Sequence, residues 1–277
     1  MIDLHTHSTA SDGRTSPGDL MWEAKGAGIS VLGLTDHDTV AGWAEAAARV
    51  EPTGVALVRG MEISAKVRGV SVHVLGYLFD PAAPAMARHR ERMLDARLSR
   101  AREMVERIGR DFPLEWEAVA AVAEPGVPVG RPHIADALID VGAVSSRDEA
   151  FARFLAPSSP YYVPHWAPQA CDVVEWVADA GGRTVLAHPH APSRGRTVSA
   201  ADIGALAEAG LFGLEIGHRD NTDLDTLEKL AERHRLVRTG SSDYHGSGKP
   251  NRLGENTTAP EVLRALASGC FLEVIHS

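Results

Sequence analysis

The chain has 277 residues, 44% hydrophobic and 23% charged, with a formal net charge of −9. That is ordinary globular composition, which excludes a disordered or fibrous chain, and one large barrel can use the whole length. No apolar run approaches the ~18–20 residues that span a bilayer, and a net negative chain is a poor partner for long nucleic acid. Small nucleotides stay open, because bound divalent cations reverse the sign locally.

Met1 to His7 carries neither a basic stretch nor an apolar signal core, so no export is expected. Cys171 and Cys270 are read as small packing residues suited to a reducing compartment. The expectation is a cytoplasmic monomer without a membrane partner.

In chain order, Ile2-Asp3-Leu4 is a short strand, followed by His5 and His7. Ser16-Pro17 opens a helix that reaches the Gly26–Gly28 region. Ile29–Leu34 is a buried strand ending at Thr35-Asp36-His37-Asp38. Ala41–Val50 is helical, Val55–Val58 is a strand ending at Gly60-Met61-Glu62, and Val70–Leu78 is a strand around His73. From Pro81 the texture changes: residues 84–110 place Met93, Leu94, Ala101, Met104, Val105 and Ile108 at helical spacing. Ser146 to Glu149 has the capping-box pattern, and Tyr161-Tyr162-Val163 is the next strand-like run.

Residues 84–162 are therefore predicted as a helical insertion, with 1–83 and 163–277 forming the main domain. A helix over 168–180 then leads to strand Arg183–Ala187, which ends at His188-Pro189-His190. Ser199 caps a helix through Ala209, and Phe212–Ile216 is a strand near Glu215, Gly217 and His218. A helix over 222–234 leads to strand Leu236–Thr239, ending at Ser242-Asp243-Tyr244-His245, and helix 259–268 and strand Phe271–Ile275 close the chain. Strand followed by helix, repeated, predicts an α/β barrel or a doubly wound sheet.

Histidine is the unusual count, at 13. His5, His7, Asp12, His37, Glu62, His73, His188, Asp243 and His245 are read as recurring just after the carboxyl ends of predicted strands, where parallel α/β folds assemble active sites. His5-x-His7 sets both imidazoles on one side of an extended segment, and Asp243-x-His245 repeats this with one carboxylate. Imidazole mixed with carboxylate suits zinc, manganese or iron. Each piece alone is commonplace, since an isolated Asp-x-His is more often a cap or a turn. Their joint placement is what argues for a metal centre.

Asp3-Leu4-His5-Thr6-His7-Ser8, Ser11-Asp12-Gly13, Thr35-Asp36-His37-Asp38, Gly60-Met61-Glu62, Ala187-His188-Pro189 and Ser242-Asp243-Tyr244-His245 together resemble the PHP (polymerase and histidinol phosphatase) superfamily. The resemblance implies a distorted (β/α)7 barrel carrying two or three divalent metal ions, manganese first, with zinc or iron as alternatives. It makes the nine residues above the ligands, with Glu62 bridging two metals and Asp12, His37, Glu62 and Asp243 closest to the chemistry. The insertion segment Gly130-Arg131-Pro132-His133-Ile134-Ala135 is similar to the branch that removes the 3′-phosphate of 3′,5′-bisphosphonucleotides or trims short RNA from its 5′ end.

The chemistry implied is attack on phosphorus by a hydroxide held between metals, with a small nucleotide or a short RNA end as substrate. Arg131, His133, His190, Lys249 and Arg252 are the candidate substrate contacts. Arg131 and His133 have a plain alternative as a turn and helix cap, and His190 as a surface turn. His165 and His218 sit near strand ends, while His89, His234 and His276 are expected to be solvated. The arginines over 88–102 are expected to form a solvated face. Two other readings stand beside the first: a histidinol-phosphate type of phosphomonoesterase, and a catalytically silent PHP interaction module. The latter would show lost ligands, and all nine positions are filled.

Overall fold

The computed structural model describes residues 1–122, 129–156, 158–164 and 166–277. The chain forms two compact units, Met1–Ala87 with Ala167–Ser277, and Arg88–Trp166. The first unit is a mixed α/β fold around a nearly closed seven-stranded barrel. In chain order it comprises β1 (Ile2–Thr6), α1 (Pro17–Gly26), β2 (Val31–Leu34), α2 (Trp43–Ala47), α3 (Val50–Thr53), β3 (Ala56–Val67) and β4 (Val70–Tyr77). The helix α4 (Pro84–Gly109) leads into the second unit, which holds α5 (Trp116–Ala121), α6 (Arg131–Asp140) and α7 (Arg147–Ala150). The first unit resumes with α8 (Ala170–Asp179), β5 (Arg183–Leu186), α9 (Ala200–Glu208), β6 (Gly213–Gly217), α10 (Leu224–His234), β7 (Val237–Gly240) and α11 (Pro260–Ala267).

The strands lie in sequence order, β1 to β7. β1 is buried along its whole length because helices and barrel interior cover both faces, which is why it reads as unbroken rather than alternating. The two edges are drawn together where the His7 N–H donates to the Tyr244 carbonyl at 2.8 Å. Helix starts follow local chemistry. Ser16 Oγ accepts the Asp19 N–H at 3.1 Å, with Pro17 next to it, and Ser199 and Asp202 cap α9 reciprocally. α8 buries Val173, Val174 and Val177 in the core that also holds Leu32, Leu34, Ile63, Leu186 and Leu214. Truncating one of these leucines to alanine removes about 2–5 kcal/mol.

Three predicted elements of this unit differ. The helix over 41–50 is two short helices, α2 and α3, because Gly54 at φ +73° stops the second and Thr53 Oγ1 turns back to the Arg49 carbonyl. Phe271–Ile275 is not a strand. The Phe271 and Leu272 N–H groups donate to Gly181 and Leu78, and only Ile275 pairs with β3, through both bonds to Leu57 at 2.9 and 3.0 Å. β3 is 12 residues long rather than ending at Val58. Past Arg59 it leaves β2 and pairs antiparallel with β4, placing Glu62 opposite Leu75 and Ser64 opposite His73.

The second unit has its own core, including Met104, Ile108, Val119, Ile134, Leu138 and Phe154. Tyr161–Val163, expected as a strand, pairs with no strand among the described residues. The Tyr162 and Val163 carbonyls accept from Arg107 and Arg100, each at 2.8 Å, so arginine side chains replace a ladder. Ser146 caps α7 by accepting the Glu149 N–H at 3.2 Å, but the Glu149 carboxylate turns to Ser145, so the expected capping box is half made. His89, expected to be solvated, is only 3% exposed and lies beside the Trp166 ring.

Candidate active site

The nine candidate ligands meet inside the first unit. His5 and His7 leave the end of β1 with no exposed surface, and their Nε2 atoms lie 3.1 Å apart. Both aim at the same two oxygens. Glu62 Oε2 is 3.1 Å from His5 Nε2 and 3.0 Å from His7 Nε2, and Asp243 Oδ1 is 3.4 and 3.1 Å away from them. His37 Nδ1 is a third nitrogen on Glu62 Oε2, at 3.2 Å. The other oxygen, Oε1, faces His73 Nδ1 at 2.7 Å and His188 Nε2 at 3.2 Å. Asp12 sits at the rim, 43% exposed, between His7, His37 and His245 at 3.7, 3.8 and 3.3 Å.

Strand direction explains this convergence, and it differs from the expectation that every ligand follows a strand's carboxyl end. Glu62 lies inside β3, and its N–H donates to the Thr35 carbonyl while its own carbonyl accepts the Asp38 N–H. That bridges it to the segment carrying His37. Because β4 runs antiparallel, its amino-terminal half brings His73 to the same end of the barrel as His5 and His188. The backbone is strained where ligands are presented: Asp38, His188 and Asp243 have φ of +54°, +28° and +54°. Gly13 is needed for close approach, since a Cβ there would lie 2.5 Å from the His7 carbonyl oxygen.

The electrostatics are those of cationic imidazoles packed on buried carboxylates. Burial opposes charge on His5, but Glu215, Glu62 and Asp243 outweigh it and hold its pKa well above 6.5. Burial likewise opposes His7, yet bonds to Asp243 and Glu62 raise it to about 9. Burial wins at His37 and His188, which fall to about 3 and about 4. Glu62 and Asp243 would be raised by burial, but the surrounding imidazoles keep both well below the usual carboxylate range.

The donor set fits divalent cations. Buried Glu62 Oε2, Asp243 Oδ1, and the Nδ1 atoms of His7, His37 and His73 have no hydrogen-bond partner despite their close neighbours. Buried donor atoms without hydrogen-bond partners are what a cation would satisfy, and mixed nitrogen and oxygen donors suit a borderline metal. The donor atoms form three overlapping groups: His7, Asp12, His37 and His245; His5, His7, Glu62 and Asp243; His37, Glu62 and His73. Outer partners fix the rings. His5 Nδ1 donates to Glu215 Oε1 at 2.9 Å and His245 Nδ1 to the Asp243 carbonyl at 2.8 Å, leaving each Nε2 for the centre.

Two participants were missing from the sequence-based set. Glu215, fully buried in β6, also accepts the His188 N–H at 3.0 Å and so positions two ligands at once. Its signal was a lone carboxylate inside an apolar strand run, since a buried charge requires a partner. Arg194 pairs with Asp243 Oδ2 and with Asp220, and nothing in its sequence surroundings marks it. His218 is buried with Nε2 3.6 Å from Asp243 Oδ2.

Of the candidate substrate contacts, Lys249 Nζ is 2.9 Å from His245 Nε2 and 3.6 Å from Asp243 Oδ2. His190 follows on the half-buried turn after His188, its N–H donating to Asn221. Arg252 is 85% exposed and 3.9 Å from Glu255. Arg131 and His133 have partners in the second unit: Arg131 donates to the Leu155 carbonyl, and His133 Nδ1 accepts the Gly130 N–H at 3.0 Å as a helix cap. His165 lies outside the described residues.

A mixed α/β barrel with this donor cluster at one end defines a metallohydrolase architecture. The PHP domain family model matches residues 3–112. The chain is 34% identical to the 3′,5′-nucleoside bisphosphate phosphatase of Chromobacterium violaceum, covering 96% of this chain and 94% of that one. It is 37% identical to a 5′-3′ exoribonuclease of Haemophilus influenzae, covering 92% and 93%. Among solved structures, a candidate metal-dependent phosphoesterase of Bifidobacterium adolescentis superposes with a TM-score of 0.88 at 40% identity, covering 95% and 94%. The chain belongs to the PHP family, and its activity is that of a phosphoester hydrolase.

Proposed function

We propose that this protein removes the 3′-phosphate from nucleoside 3′,5′-bisphosphates and, with the same centre, trims short 5′-phosphorylated RNA. The observation that carries this reading is Glu62, whose two oxygens are approached by five imidazoles, three on one side and two on the other. A carboxylate used on both oxygens suits a bridge between adjacent cations. The names of the two relatives supply the substrate class.

His5, His7, Asp12, His37, Glu62, His73, His188, Asp243 and His245 would hold two or three divalent ions, manganese first. When bound, such ions polarise phosphoryl oxygens and acidify a coordinated water. The chain's own groups do the rest. Glu215 and the Asp243 carbonyl keep His5 and His245 in one tautomer, so the centre is set before substrate arrives. Lys249 would offset charge gathering on the phosphoryl oxygens, and His190 would give a proton to the departing ribose oxygen. Arg252, the most exposed of the candidate contacts in this unit, would meet the remainder of the substrate.

Phosphate release from metal-loaded protein on 3′,5′-bisphosphoadenosine, histidinol phosphate and a 5′-phosphorylated RNA oligomer tests the reading. The bisphosphate should give the highest kcat/KM. A dominant rate on histidinol phosphate would replace the substrate class, and no release from any of them would favour the silent module.

A further inference from the structure

His245 shares a donor group with His7, Asp12 and His37, and Asp12 places that group at the rim of the centre. Its Nδ1 carries the ring hydrogen, because the Asp243 carbonyl 2.8 Å away can only accept. Nε2 is then a single lone pair. Lys249 Nζ lies 2.9 Å from that atom, and an ammonium can only donate. The same Nζ is 3.6 Å from Asp243 Oδ2, so it rests between two of the proposed ligands.

A divalent ion held by His245 needs the lone pair that Lys249 is using. An imidazole nitrogen holds a metal at roughly 2 Å. Two positive charges on one lone pair exclude each other. The local chain suits a lysine that can leave without disturbing the histidine. Lys249 stands four residues past His245, in Gly246-Ser247-Gly248-Lys249-Pro250. Gly246 turns the chain back at φ +69°, and a Cβ there would lie 2.9 Å from Thr15 Oγ1. The Arg14 N–H donates to the His245 carbonyl at 3.0 Å and fixes the histidine's backbone. The Lys249 side chain is 35% exposed, and its flexible four-carbon stem lets the ammonium move while the backbone stays.

We propose that Lys249 is an internal cation that exchanges with the ion on His7, Asp12, His37 and His245. It holds His245 and Asp243 until that ion arrives, and binding of the ion drives it off. The proposal rests on the metal-centre reading given above. It makes this ion the most weakly held of the set, and it releases an ammonium toward the substrate only when loading is complete. Removing an ordinary ligand weakens metal binding. Removing Lys249 should strengthen it.

The test is calorimetric titration of manganese into metal-free wild type and Lys249→Met, whose unbranched side chain keeps the bulk without the charge. One class of ion should bind about tenfold more tightly in the variant, with the others unchanged. Crystals of the manganese-loaded wild type should show an ion on His245 Nε2 by anomalous scattering, with Nζ out of hydrogen-bonding reach. Equal gains at every ion would reduce Lys249 to a general repulsive charge and overturn the exchange. So would unchanged or weaker binding in Lys249→Met, or a loaded structure that keeps the 2.9 Å contact. Manganese binding by neither protein would fail the metal-centre reading itself, and the exchange with it.

Discussion

The two units use charged residues in opposite ways. In the second unit, arginine and acid meet as local pairs, Arg107 with Glu103, Arg110 with Glu106 and Arg147 with Asp136, and arginines also serve as donors to backbone carbonyls. In the first, five imidazoles converge on one carboxylate, and several buried nitrogens and oxygens there have no hydrogen-bond partner. Polar groups that satisfy one another hold a fold together. Polar groups that converge without such partners mark the place where something else is meant to bind.

The largest effect that could break this contrast is at a ligand. His7→Ala should lower kcat/KM by roughly 10³-fold or more while circular dichroism and elution volume stay as in wild type. Full turnover in a variant of verified metal content would dissolve the proposed centre. Next comes the residue that sequence reasoning passed over. Glu215→Gln keeps the shape but removes the charge holding His5, and metal affinity should fall by roughly 10–100-fold. An unchanged affinity would reduce Glu215 to a packing residue.

Protonation gives a smaller, signed effect. His5 and His7 are held above neutral pH by Glu215, Glu62 and Asp243, so the metal-free chain carries protons there at pH 7. Loading should release roughly two of them, and affinity should decline as pH falls. In the metal-free chain the stabilisation from His7 is complete below 6.5 and disappears as pH rises through about 9, so alkaline pH favours the loaded form. Calorimetric metal titration in two buffers of different ionisation enthalpy counts the protons, and a count of zero would refute the arrangement. The smallest effect belongs to the second unit. Arg147→Ala breaks a half-exposed pair with Asp136 and should cost about 1 kcal/mol or less, seen as a slight fall in Tm. A loss of several kcal/mol would mean that pair is not a local one.

Much of this was legible in the chain itself. Pro17 after Ser16, and Ser199 three residues before Asp202, mark helix starts because capping needs only neighbours in sequence. The histidine and carboxylate motifs named the nine candidate ligands because metal chemistry restricts the side chains that serve it. What the chain did not show was decided by distant partners. Glu62 and His73 share one end of the barrel only because β4 reverses direction, and Phe271–Ile275 fails as a strand because its N–H groups find three different segments. Glu215 meets His5 across 210 residues, and Arg194 meets Asp243 across 49. Local pattern determines which residue types are available and which elements they form. Contacts between residues far apart in the chain depend on the closed packing of the barrel, which decided which of those residues face one another.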